Sequence, residues 1–182
     1  MRLLYAVATV ALLAACREQA AGDRVVEEAN ASGNAASNAL ENAVAQSDAA
    51  PLEKEQALAL MKERHENYER IGDSMKVITR QLKSGSPDLA QVRSNADTIA
   101  QLAPQVSTWF PAGTGPDVGK TEAKSAIWEN RQDFAAKAEA FNQAAMAFQR
   151  TAQGSDLAAI RAAHGNLGKS CKACHDLYRE EH

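Results

Sequence analysis

The stretch LAAIRAAHGNLGKSCKACHDLYRE, residues 157–180, decides the fold of this 182-residue chain. Leu157, Ile160, His164, Leu167, Cys171, Cys174 and Tyr178 recur in it at alternating spacings of three and four. That is the period of one face of an α-helix. Gly154 ends the element before it, and Ser155 is placed to cap this one. Working outward, Ile127, Phe134, Ala138, Phe141, Ala145 and Phe148 form a second stripe and predict a helix beginning around Thr121. Leu89, Val92, Ala96, Ile99, Leu102 and Val106 mark another, starting near Pro87. Met61, Tyr68, Ile71, Met75, Ile78 and Leu82 mark the first. Pro51 suits its opening turn, where a missing N–H costs nothing, and Ser84-Gly85-Ser86-Pro87 ends it. The connection Trp109–Pro116, WFPAGTGP, holds two prolines and two glycines and excludes a regular element. Four amphipathic stripes, with no alternating strand pattern, predict an all-α, antiparallel four-helix bundle over residues 51–182. That length suffices for a single core.

Cys171-Lys172-Ala173-Cys174-His175 carries the chemistry. C-x-x-C-H is the attachment signal for a c-type haem. Two thiols at this spacing reach the two vinyl groups of one porphyrin, and the adjacent histidine is delivered under the iron. The motif predicts one covalent haem c near the C-terminus, bound by Cys171 and Cys174, with His175 as the metal ligand. Competing readings fit less well. A thioredoxin-like pair opens a helix after a strand, and no strand precedes this one. A structural zinc site wants four ligands, and no second Cys or His pair has a fitting spacing. A disulfide within one helical turn would constrain little.

The third cysteine lies far away. Met1 and Arg2 precede an apolar run, Leu3–Ala15, too short to cross a bilayer and of signal-peptide size. It ends Leu13-Ala14-Ala15-Cys16, which resembles the bacterial lipobox. The resemblance implies cleavage before Cys16 and lipidation on it, and several acyl chains make a stable anchor. An ordinary secretory signal with an incidental cysteine is the alternative. Arg17, in place of an aspartate, favours the outer over the inner membrane. Residues 16–50 then read as a lipidated cysteine and a flexible tether, rich in Ala, Asn, Ser, Glu and Gly. The tether would span about 30 Å as a coil and about 110 Å extended. The expected location is the periplasm. A net charge of −3 gives no basic surface for nucleic acid.

The bundle resembles the cytochrome c′ family, the class II c-type cytochromes, over roughly Leu58–Arg179. Three segments carry the resemblance: GKSCKACHDLYR at 168–179, FPAGTG at 110–115 and KSAIW at 124–128. It implies a haem at one end of the bundle, with His175 on the solvent-facing side of the iron. Arg179 would lie near that histidine, and a first-helix residue would cover the distal side. Relatives carry an arginine, a distal residue four positions later, then Ile-Gly and a methionine; here these are Arg64, Tyr68, Ile71-Gly72 and Met75. The resemblance therefore puts Tyr68 over the iron and Arg64 among the cofactor-binding residues. One branch of the family ligates the iron with methionine at the distal place, and this chain departs from it. A neutral tyrosine, with an ordinary pKa of about 10, is a poor ligand to ferrous iron.

Tyr68 reads either as a distal lining able to hydrogen-bond a diatomic or as a core tyrosine. Met75 reads as core packing or, with a shifted register, as a sixth ligand; Met61 stands similarly on the other side. Arg179, one turn after His175, either contacts the haem or is a solvated terminal charge. His65 falls on the solvated face and His164 on the core stripe. The expected function is one-electron transfer, without enzymatic activity. The alternative is a high-spin haem that binds a small gas such as nitric oxide. Lys169, Lys172 and Arg179 offer a basic face to an acidic redox partner. The resemblance also implies a homodimer through the first two helices.

Overall fold

The computed structural model describes residues 52–180. The signal peptide, Cys16, the tether, Pro51 and His182 lie outside the described residues. Within them the chain forms α1 (Lys54–Lys83), α2 (Leu89–Leu102), a 3-10 stretch (Ala103–Trp109), a single turn α3 (Ala126–Glu129), α4 (Arg131–Ala152) and α5 (Leu157–Tyr178). The long helices α1, α2, α4 and α5 make the antiparallel four-helix bundle that the stripes predict.

Several boundaries differ from the sequence expectation. The first helix begins at Lys54, after a non-helical Leu52 and Glu53, so its start does not involve a proline in the opening turn. The helix expected from Thr121 begins instead at Arg131. Asn130, at φ −124° and ψ 50°, breaks the backbone between α3 and α4. Asp156, not Ser155, caps α5: its carboxylate accepts from the amides of Ala158 and Ala159 at 2.9 and 3.1 Å. Asp88 does the same for α2. A carboxylate both satisfies orphan amides and complements the positive end of the helix. The second stripe continues to Val106, but as a 3-10 stretch opening at Ala103-Pro104. Pro104 has no amide to continue the α-helical ladder.

The main core joins Ile78 of α1, Val92 and Ile99 of α2, Phe148 of α4, and Ile160 and Leu167 of α5, all fully buried. Alanines at 96, 138, 145 and 152 face the same core and let the helices approach closely. A smaller cluster of Phe110, Ile127, Phe134 and Tyr178 sits at the end of the bundle that carries the connecting loop.

Three of the four helix seams, α1–α2, α2–α4 and α4–α5, pack backbone close to backbone. The α1–α5 seam is held by side chains. Thr79 Oγ1 meets His164 Nε2 at 3.2 Å, and Arg161 Nε donates to the Leu82 carbonyl at 3.1 Å. These two bonds fix the antiparallel register. Counting the same number of residues along both helices brings Tyr68 level with His175, and Met75 level with Gly168.

His164 also leans on the Phe148 ring, 5.9 Å between centroids. Burial, and then the charge of Lys83, hold its pKa below the ordinary 6.5. The native state therefore binds fewer protons than the unfolded chain as the pH falls through that value. His164 contributes full stability above about pH 6.5 and loses it below. Urea titrations at about pH 7.5 and 5.5 should give a smaller stability difference for His164→Gln than for the native sequence.

Candidate functional site

The site is built where α5 ends and the connecting loop crosses the bundle. Cys171 and Cys174 stand one turn apart on α5 as free, half-buried thiols. Cys171 packs on the main core and Cys174 on the aromatic cluster. Burial raises both thiol pKa values, that of Cys174 to about 11, with Cys171 adding to the effect. Reactive redox cysteines have depressed values, so this pair is not poised as a thioredoxin-like nucleophile. Among the described residues there is also no group of three or more Cys, His, Asp and Glu side chains fit to hold a metal ion by themselves.

His175 follows Cys174 and is exposed. Desolvation by the surrounding protein, and then Arg179, push its pKa down. Its imidazole hydrogen-bonds to no described residue.

Across the seam stands Tyr68, half-buried on α1. Its ring meets Trp109 edge-on at 5.2 Å and Phe110 at 6.2 Å. Burial pushes the phenol pKa well above its ordinary value, and Cys174, Arg64 and Cys171 all act on it electrostatically. The hydroxyl thus stays protonated and donates to no described residue. The aromatic wall continues from Phe110 to Phe134 (4.8 Å) and from Phe134 to Tyr178 (5.4 Å). The Tyr178 hydroxyl donates to Asp133 at 2.6 Å.

The structure brings Cys171, Cys174, His175 and Tyr68 to one end of the bundle. Arg64 is close by but engaged elsewhere. Its guanidinium, 4 % exposed, donates to the carbonyls of Trp109 and Thr114 and to the hydroxyls of Thr114 and Thr121, at 3.0 to 3.4 Å. It also lies 4.5 Å over the Phe110 ring. Burial pushes its pKa down to about 10, so it remains charged at neutral pH. Its part in the site is to hold the loop whose Trp109 and Phe110 line the Tyr68 side.

Met75 is not brought to this end. It packs on the main core and lines a shallow groove of about 620 Å³ with Lys76, Thr79, Arg80, Lys83 and Ser84. Met61 is buried under the loop, where Leu58 and Met61 lie so close to Gly119 that a Cβ there would meet Leu58 at 2.6 Å and Met61 at 3.3 Å. His65 is solvated beside Glu69, as expected.

Arg179 is no simple solvated charge: it pairs with Glu122 at 2.7 Å. Lys172 pairs with Asp176 at 2.7 Å. Two of the three cations expected to form a basic docking face are therefore balanced by carboxylates, and exposed Lys169 and half-exposed Leu177 complete that surface. Sequence reading missed Glu122, Asp133 and the loop contacts of Arg64. These partners lie 45 to 57 residues away in the chain, with no local pattern to signal them.

The chain matches the family model described as Cytochrome C' over residues 59–179. This chain belongs to the cytochrome c′ family. It is 33 % identical over 122 residues to cytochrome c′ of Pararhodospirillum photometricum, covering 67 % of this chain and 97 % of that one. A cytochrome c′ with an unusual ligand-controlled dimer dissociation superposes with a TM-score of 0.64 at 29 % identity, covering 72 % of this chain and all of the other. The nitric oxide complex of a variant of cytochrome c prime from Alcaligenes xylosoxidans does so with a TM-score of 0.62 at 29 % identity, over 72 % and all of the two chains. Members of the family bind one covalent haem c, and so does this cytochrome c′, near its C-terminus.

The residues present fit that group. Two unbridged thiols share a helix face against an aromatic wall, and the free imidazole is adjacent. The α1–α5 seam beside them is not closed backbone to backbone, and a Cβ at Gly72 or Gly168 would meet nothing within 4 Å.

Arg64 is the part of this end most open to test. Arg64→Leu would leave the Thr114 carbonyl buried without its donors, because Thr114 is fully buried. Urea unfolding should reveal a loss of about 3 kcal/mol. Amide exchange over residues 109–121 should accelerate. Arg64→Lys, lacking the planar fork, should recover only part of the loss.

Proposed function

We propose that this cytochrome c′ is a one-electron carrier whose haem c is held by thioethers to Cys171 and Cys174, with His175 as the axial ligand. The observation that carries the reading is the exposed imidazole of His175, which makes no hydrogen bond to a described residue, immediately beside the two half-buried thiols. Bound haem supplies a single iron that exchanges one electron between its ferric and ferrous forms. The chain's residues do the rest. The thiols anchor the group, His175 faces solvent where an electron can enter or leave, and Tyr68, Trp109 and Phe110 keep water from the inner side. The surface around His175 combines half-exposed Leu177 with the balanced pairs Lys172–Asp176 and Arg179–Glu122. It would suit a redox partner of mixed polarity better than a strongly acidic one. No enzymatic role is part of this reading.

One observation favours a second reading, the binding of a small gas such as nitric oxide. The residue level with His175 across the seam is Tyr68, whose protonated hydroxyl has no described partner, and Met75 lies two turns away. An iron ligated only by His175 would leave Tyr68 free to hydrogen-bond a diatomic. The nitric oxide complex of the Alcaligenes relative supports this chemistry by analogy, and the ligand-controlled dimer of another relative suggests a homodimer here.

Export and lipidation at Cys16 belong to the same proposal, with the domain tethered in the periplasm, at the outer membrane before the inner. Cys16→Ser should release the protein into the soluble periplasmic fraction, and mass spectrometry of the native N-terminal peptide should find a diacylglyceryl group.

The two functional readings separate optically. The ferrous protein should give a broad high-spin spectrum if Tyr68 leaves the iron five-coordinate, and Tyr68→Met should convert it to a sharp low-spin one. His175→Ala should change the ferrous spectrum in either case. A spectrum indifferent to His175→Ala would overturn the ligand assignment, and one indifferent to Tyr68→Met would overturn the placing of Tyr68 over the iron.

A further inference from the structure

Glu122 stands outside every stripe and motif, at a bend between the loop and α3. Its Oε2 accepts from Arg179 Nε at 2.7 Å and lies 2.7 Å from Arg179 Nη2. The backbones of the two residues are tied as well. Glu180 N donates to the Glu122 carbonyl at 2.8 Å, Lys124 N donates to the Tyr178 carbonyl at 3.0 Å, and Ala123 and Arg179 form an antiparallel bridge. Arg179 N in turn closes on the His175 carbonyl at 3.0 Å. Arg179 is therefore held by its backbone as well as by its guanidinium, one residue beyond the helix that carries His175. Arg179 stands one helical turn beyond His175 and its backbone closes on the His175 carbonyl, so the ion pair is held next to the residue that carries the imidazole.

We propose that Glu122 is a positioning residue that sets the electron affinity of the haem iron, by neutralising Arg179 and fixing it beside His175. The inference rests on the assignment of His175 as axial ligand. A lone cation near the iron disfavours the ferric form, which carries one more positive charge. A carboxylate on the same guanidinium cancels most of that field at the iron. The pair is half exposed, so its direct contribution to fold stability is small. Its consequence lies in the charge it leaves beside the ligand.

Redox titration of the full-length haem-loaded protein tests this. At the midpoint potential of the native protein, Glu122→Gln should lower the ferric-to-ferrous ratio by about threefold or more, as expected for an uncompensated charge near a partly screened site. Arg179→Gln, with Glu122 left in place, should raise the ratio. The double variant should return close to the native value, and Glu122→Asp should retain most of it. Simple loosening of the C-terminal tie would move both single variants in the same direction. A Glu122→Gln midpoint that is unchanged, or that moves with Arg179→Gln, overturns the proposal. Failure of the underlying assignment is distinguishable, because it appears as a ferrous spectrum indifferent to His175→Ala.

Discussion

One buried guanidinium holds the functional end of this molecule together. Arg64 enters from the first long helix and donates hydrogen bonds to four acceptor atoms on Trp109, Thr114 and Thr121, pinning the connecting loop against the bundle. A charge removed from water is costly unless hydrogen bonds surround it, and here backbone carbonyls and threonine hydroxyls supply them. The Phe110 face adds a cation–π contact. Once Thr114 and Thr121 are anchored, Phe110 is fixed over Phe134, Trp109 over Tyr68, and the chain leaves Thr121 in position to meet the end of α5.

That geometry ties the two sides of the site. The Tyr68 side is aromatic and half-buried, and its phenol is protonated. The His175 side is exposed and surrounded by paired charges. The loop contributes to both, with Trp109 and Phe110 on one and Glu122 on the other. Trp128 reinforces the loop by donating its indole N–H to the Pro111 carbonyl at 3.0 Å. Arg131 does likewise to the Phe110 carbonyl at 3.0 Å. Gly113, at φ 78°, supplies the left-handed turn that the crossing requires. The cytochrome c′ bundle thus acts as a rigid frame, and the loop tailors the environment on either side of α5.

Much of this was legible along the chain. Stripes of period three and four define four helices because only one face of each can be dry, and that rule acts over neighbouring residues. The five residues from Cys171 to His175 specify a covalent haem because the geometry of one helical turn matches one porphyrin. Helix ends were less legible. Asp156 and Ser155 are both competent caps, and the choice between them depends on backbone angles that the side chain alone does not set. The late start of α4 had no local signal, because the 121–125 segment is drawn away by the Arg64 hydrogen bond to the Thr121 hydroxyl and by the tie to Tyr178.

The amino-acid sequence by itself determined the all-α bundle, its core faces and the haem attachment motif, since each arises from contacts within a turn or two of helix. The family resemblance pointed to Tyr68, but the register that sets Tyr68 and not Met75 level with His175 is a tertiary matter, because it depends on how two helices joined by contacts 79 and 85 residues apart slide against each other. It also decided that Arg64 holds a loop and that Arg179 faces Glu122. Charges choose their partners by proximity in space, and residues 57 positions apart become neighbours only when the whole bundle closes.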